Sequence, residues 1–147
     1  MTVQLSGSEV AKKITEKFPG AVVEANDQAL MLNSESLLKV AEHLKTSPEF
    51  AFNYLVDITA VDYFEYFEVV YRLLSLEHNH ALVLKTRCYG REGLTLPSVL
   101  SLWRSADYME REIYDLMGIK FEGRSDMRRI FMWEGFKGHP LRKDFLG

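Results

Sequence analysis

Apolar residues Val10, Ala11, Ile14 and Phe18 recur at helical spacing behind Ser8. The pattern predicts a helix capped by Ser8 and stopped by Pro19-Gly20. Ala21 to Ala25 and Ala29 to Leu32 read as two short strands around the turn Asn26-Asp27-Gln28. Leu37, Leu38, Ala41 and Leu44 mark a second helix, opened by Asn33 or Ser34 and ended by Thr46-Ser47-Pro48. The period then changes to two. Phe52, Tyr54, Val56 and Ile58 alternate with mostly polar neighbours, as one face of a half-buried strand does. Phe67 to Leu76 is a second strand and Glu77-His78-Asn79 a turn. Ala81 to Cys88 is a third strand, with Leu82, Leu84 and Cys88 on one side and Lys85 and Arg87 on the other.

After a loop over Tyr89 to Gly93, Leu96-Pro97-Ser98 predicts the opening of a short helix carrying Val99 and Trp103. A stronger helix follows. Asp107 precedes Glu110 at capping-box spacing, Met109, Ile113, Leu116 and Met117 form its apolar stripe, and Gly118 suits a left-handed C-cap. The order is helix, two strands, helix, three strands, helix, then an irregular tail. Strands that run together rather than alternating with helices argue for an α+β two-layer domain with a mixed sheet. We expect residues 1–121 to form that domain and 122–147 an extended tail that docks on a partner.

Composition narrows the function. The chain has 147 residues, with 47% hydrophobic and 27% charged, the balance of one soluble domain. Its formal net charge of −3 argues against a nucleic-acid binder. Charge is uneven, however: from Arg124 onward six Lys/Arg stand against Asp126, Glu134 and Asp144. A basic tail on an acidic body suits docking onto an acidic surface. No run of 18 apolar residues occurs, so no membrane span is expected, and the first ten residues lack the pattern of a secretory signal. Cys88 is the only cysteine, so the chain by itself cannot supply four thiolates to an ordinary iron–sulfur cluster, and no internal disulfide can form.

Candidate chemistry is sparse. There is no dinucleotide fingerprint and no P-loop, and Gly90, Gly93, Gly118 and Gly123 are too dispersed to cradle a phosphate. His78 and His80 sit at a turn without an evident third metal ligand. Cys88 reads as a buried thiol rather than a nucleophile. Glu110, Glu112 and Asp115 could be a carboxylate cluster. On a helix, however, Glu110 shares a face with Tyr114, Arg111 pairs with Asp115, and Glu112 projects elsewhere. Ion pairing with Arg128, Arg129 or Arg142 is the expectation, because buried charges persist mainly when paired. A hydrolase using Glu110, Glu112 and His139 is a competing reading, as is a nucleic-acid site at Trp133 and Phe136.

The tail joins aromatics to charges. Trp133, Phe136, Leu141 and Phe145 are interleaved with Lys137, Arg142, Lys143 and Asp144, and Gly135 and Gly138 permit positive φ. Pro140 favours an extended His139. Such a segment either folds back over its own sheet or lies on a partner with its aromatics as anchors.

These residues resemble a known family. Glu110-Arg111-Glu112, Asp115-Leu116-Met117-Gly118-Ile119 and Phe121, then Arg128-Arg129-Ile130, then Gly138-His139-Pro140-Leu141-Arg142-Lys143-Asp144-Phe145 are similar to the C subunit of proton-translocating NADH–quinone oxidoreductase, respiratory complex I. Asp57 to Tyr63 and Tyr71 to Leu76 resemble two further segments of it, and the resemblance covers roughly Phe52 to Phe145. The chain departs from the family's usual pattern at Arg124, where His is usual, and at Tyr108, where Trp is common.

The resemblance implies a cofactor-free structural subunit of the peripheral arm, with iron–sulfur clusters, flavin and quinone on partner subunits. It implies no catalytic, cofactor-binding or metal-binding residue here, the enzyme being the complex. It implies packing against the D-subunit homologue, which is hydrogenase-large-subunit-like, and the B-subunit homologue. The place is the cytoplasmic or matrix face of an energy-transducing membrane. Membrane-bound energy-converting hydrogenases contain related subunits and supply the alternative. The expected interface comprises Glu110, Arg111, Glu112, Asp115, Arg128, Arg129, Trp133, Phe136, His139, Arg142, Lys143 and Asp144.

Overall fold

The computed structural model describes residues 2–124, 127, 129, 132 and 137–145. The first helix, α1, spans Gly7–Lys17, beginning two residues earlier than a Ser8 cap would have placed it. Ser6 holds the N-cap position, but its hydroxyl donates to Asp27 Oδ1 at 3.1 Å and caps nothing. Gly7 must be glycine, since a Cβ there would stand 2.2 Å from the Ala29 carbonyl oxygen. Strand β1 is Val3–Gln4, β2 is Val22–Ala25 and β3 is Leu30–Leu32. The Asn33 side chain accepts from the Ser36 N–H at 2.8 Å, which caps a short 3-10 turn over Ser34–Ser36 running into α2, Leu37–Thr46.

Three long strands form the centre: β4 over Tyr54–Asp62, β5 over Tyr66–Ser75 and β6 over His80–Tyr89. The main sheet runs β2-β3-β6-β5-β4, with β1 also paired to β6. β1 and β3 lie parallel to β6 and the other pairs are antiparallel, so the sheet is mixed and the fold α+β, as the order of elements implies. Phe67, Val69, Tyr71 and Leu73 of β5, with Leu82, Leu84 and Cys88 of β6, belong to one core with Ile14 of α1 and Leu37, Val40 and Leu44 of α2.

β4 departs from its expected alternation. Leu55 and Ile58 are buried, whereas Tyr54 and Val56 are exposed. The register against β5 shifts between Leu55 and Asp57. An extra residue at a bulge turns the strand over, so inward positions fall three apart instead of two.

The expected helix at Leu96 is not formed. Thr95–Pro97 is a strand, β7, paired in parallel with β8, Lys120–Glu122. Proline lacks an N–H and is tolerated here because the ladder bond to Glu122 comes from the next residue, the Ser98 N–H donating to the Glu122 carbonyl at 2.7 Å. Val99 and Trp103 are still one turn apart and buried, in a turn whose Trp103 N–H donates to the Val99 carbonyl at 3.1 Å. Helix α3 spans Ala106–Met117, and Gly118 ends it at φ 84°. Ser105, not Asp107, holds its N-cap position, and Asp107 lies inside its first turn.

Candidate functional site

Helix α3 is the centre of the charged segment. Ile113 and Met117 are buried on its apolar side, yet Glu110 and Asp115 are also completely buried. The two carboxylates point to separate sets of partners.

Glu110 faces the start of the 98–105 segment. Its Oε1 accepts from the Ser98 hydroxyl at 2.6 Å and from Arg124 Nη1 at 3.1 Å, and its Oε2 accepts from the Val99 N–H at 2.9 Å. Arg124 also donates to the Asp107 carbonyl at 3.2 Å and to the Asp107 carboxylate. Burial pushes the Glu110 carboxyl above its ordinary range, while Ser98, Val99 and Arg124 pull it down. The Arg124 guanidinium holds Asp107 below its ordinary range.

Asp115 faces the tail. It accepts from Arg129 Nε and, at 2.9 Å, from the Met132 N–H. The expected Arg111–Asp115 pair is replaced: Arg111 reaches back to Asp107 at 3.3 Å. This is the order that favours an i,i+4 pair, acid before base.

The tail also completes the end of α3, where carbonyls lose their helical donors. Arg129 Nη2 and His139 Nδ1 donate to the Asp115 carbonyl at 2.8 and 2.9 Å, and the Leu141 N–H donates to the Leu116 carbonyl at 2.9 Å. A cationic guanidinium here also suits the negative end of the helix dipole. Described residues 137–145 thus fold back onto the domain.

A second anchor went unread in the sequence. Asp62, at the end of β4, accepts from both Nη atoms of Arg91 at 2.7 and 2.8 Å and from the N–H groups of Phe64 and Lys143 at 2.7 and 2.8 Å. The Arg91 guanidinium holds the Asp62 carboxyl well below the usual aspartate range. Arg91 also pairs with Asp144, and Arg142 donates to the Arg91 carbonyl while lying 5.1 Å from the Phe67 ring centre. Between these groups opens a cleft of about 460 Å³ bordered by charges of both signs, Arg91, Lys137 and Arg142 with Glu92 and Asp144, and by His139. Lone Arg91 in a loop gave no signal of this role.

The expected interface residues therefore divide. Glu110 and Asp115 are internal; Arg111, Arg129, His139, Arg142, Lys143 and Asp144 bind the domain to itself or line its surface. Glu112 borders an apolar groove beside β4. Arg128, Trp133 and Phe136 lie outside the described residues. Glu110, Glu112 and His139 are dispersed by these contacts and form no shared acid–base set. His78 and His80 present their Nε2 atoms to the carbonyls of Pro48 and Phe50 at 2.6 and 2.9 Å. Cys88 is buried, and burial pushes its thiol up to about 11.

Comparison with known proteins matches the same region. Residues 30–147 fit the family described as respiratory-chain NADH dehydrogenase, 30 Kd subunit. The C subunit of the NADH-quinone oxidoreductase of Methylobacterium sp. (strain 4-46) is 38% identical over 143 residues, covering 92% of this chain and 66% of that protein. Its counterpart from Roseobacter denitrificans is 40% identical over 146 residues, covering 97% of this chain and 72% of that protein. The chain spans about two thirds of the length of the curated relatives it matches, 66% in the first case. Among solved structures, a chain of the membrane-bound sulfane sulfur reductase, an archaeal respiratory membrane complex, superposes with a TM-score of 0.75 at 28% identity, covering 95% of this chain and 85% of that one. Domain, charged helix and tail all fall within these matches, and this chain belongs to the family of the 30 kDa subunit of respiratory-chain NADH dehydrogenase.

Proposed function

We propose that the chain is a cofactor-free structural subunit of the peripheral arm of a proton-translocating NADH–quinone oxidoreductase, packed against the D-subunit homologue and the B-subunit homologue near the quinone-reducing module. One observation carries the structural role: the buried carboxylates of α3 are used internally, Glu110 by Arg124 and Asp115 by Arg129. Groups held in this way order a surface rather than move protons. In this reading Glu110 and Asp115 serve the interface from behind, by fixing α3 and the tail, and the exposed Lys143 and the charged cleft face the partner. The tail over residues 122–147 is the docking segment. Electron transfer belongs to iron–sulfur clusters, flavin and quinone on the other subunits, and the chain supplies no catalytic residue. Among the described residues no helix is long and apolar enough to cross a membrane. The subunit sits peripherally, on the cytoplasmic or matrix face, held by its neighbours.

The likeness to the membrane-bound sulfane sulfur reductase supports a second reading, in which the same scaffold serves another membrane-bound redox complex, such as an energy-converting hydrogenase. Native purification through a tag on this chain separates the two. The D and B homologues and a nucleotide-binding flavoprotein in the same band, with NADH:quinone turnover, support the first. A nickel-containing subunit, or turnover of sulfane sulfur without NADH:quinone activity, supports the second. Recovery of the chain alone would reject both.

A further inference from the structure

The outer edge of β4 differs from the other edge of the sheet. β2 is four residues long, irregular in register and carries Glu24. β4 is nine residues long, runs in unbroken register from Asp57 to Asp62 beyond its bulge, and contains neither lysine nor proline. Sheet edges left in this state invite another strand. Its beginning is covered, since Ser105 Oγ donates to the Leu55 carbonyl at 3.0 Å. Beyond the bulge, Asp57 turns to Arg72 at 3.1 Å on the neighbouring strand. Among the described residues, the backbone groups of β4 from Val56 to Val61 that point away from β5 take no hydrogen bond. Val56 and Val61 are 44% and 41% exposed.

A groove of about 210 Å³ runs alongside, between this edge and α3, with Ile58, Ala60, Ile113, Leu116 and Leu141 among its walls. Leu141, on the tail, is exposed at its rim. Glu112 stands on the same rim with no hydrogen bond or ion pair among the described residues. Three requirements thus meet in one place: a row of backbone donors and acceptors, an apolar slot and an unpaired carboxylate. A strand added to an edge takes its affinity from main-chain bonds and its specificity from side-chain pockets.

We propose that an extended segment of a partner subunit pairs with the β4 edge, seats an apolar side chain in this groove and sets a lysine or arginine against Glu112. The inference rests on the subunit reading and specifies one contact within it. A strand satisfies the backbone groups that a packed helix would leave unpaired. A basic residue beside the apolar anchor complements Glu112.

The test uses the assembled complex, purified through a tag on this chain. A photo-crosslinking p-benzoylphenylalanine is incorporated at Thr59 beside the groove and, as a control, at Val23 on the opposite edge. The expected result is a Thr59 adduct with one co-assembled subunit, mapped to a segment in which an apolar residue neighbours lysine or arginine, and absent from the Val23 sample. Glu112→Lys is expected to lower that adduct about tenfold and Glu112→Gln to lower it less, because a charge reversal at a rim adds repulsion to a lost attraction. An assembled complex in which the Thr59 probe gives no adduct, reaches a second copy of this chain, or reaches a helical segment overturns the proposal and leaves the subunit reading intact. Recovery of the chain alone overturns both.

Discussion

Arg124 reaches Glu110 at 3.1 Å inside the domain, with the two side chains 2% and 0% exposed. Removing the guanidinium leaves a buried carboxylate with only Ser98 and Val99 as donors. Arg124→Ala should therefore lower stability near neutral pH by about 3–5 kcal/mol. The pH dependence has a definite sign. Burial already raises Glu110 above its ordinary 4.5, so the stability linked to this group is present below 4.5 and lost as pH rises through its folded value. Without Arg124 the folded value climbs further. Urea unfolding at pH 5 and pH 7 should give the larger loss at pH 7; an equal loss at both would separate the effect from Glu110.

Asp62 behaves in the opposite sense. Its folded value lies below the ordinary 3.8, so its contribution is full above 3.8 and fades as pH falls below it. Asp62→Asn should cost about 3 kcal/mol at pH 7, the lower end for breaking a buried pair, and open the tail to proteolysis around Lys143. In an acid titration the variant and the parent should converge as pH drops below 3.8. A gap that persists undiminished into strong acid would rule out the ionised carboxylate as its source.

Gly118 is constrained twice, by φ 84° and by His139, whose Cδ2 would lie 2.8 Å from an added Cβ. Gly118→Ala should cost about 1–2 kcal/mol from the left-handed conformation alone. At about 2–4 °C per kcal/mol for a domain near this size, the fall in Tm should exceed 2 °C. Repeated in a His139→Ala background, the same change should cost less. Strict additivity in that double-mutant cycle would mean the ring and the glycine are not in contact.

Among the described residues, the Tyr71 hydroxyl is buried without a hydrogen-bond partner, and burial raises its pKa well above the ordinary value. Tyr71→Phe removes a desolvated polar atom and keeps the ring. Stability should be unchanged or rise by about 1–2 kcal/mol. A loss in thermal or urea unfolding would reveal a partner for the hydroxyl.

Arg142 joins the tail to Phe67 and to the Arg91 backbone. Arg142→Ala should reduce the amount of chain recovered in the assembled complex while the domain itself stays folded by circular dichroism. Normal assembly with lost turnover would contradict the scaffold role.

The elements most legible in the sequence were those that one local period specifies. β6 follows its alternation from Leu82 to Cys88, and α3 has its stripe and its Gly118 stop. β4 was misread in phase because one extra residue reverses a period of two, and nothing local to Val56 marks it. Pro97 was misread because the same residue suits a helix's first turn and a short strand, and the choice depends on Lys120–Glu122, more than twenty residues away. The candidate site was legible as a set of charges that had to be paired, but not as pairs. Arg124 meets Glu110 across 14 residues and Asp62 meets Arg91 across 29. Such choices belong to tertiary packing. Arg124 itself drew notice only as a departure from the family's usual histidine.

The contacts of the tail bear on how the chain is made. Arg129 and His139 answer charges and carbonyls at the end of α3, and the Lys143 N–H answers Asp62 in the middle of the sequence. A nascent chain stalled just after Glu122 would already contain all the strands and helices described above. It would still hold Asp115 inside without its counter-ion and Asp62 one donor short. The final native packing thus waits on synthesis through the Gly138 to Phe145 segment, and a partner that bound this surface during translation would meet an unfinished protein.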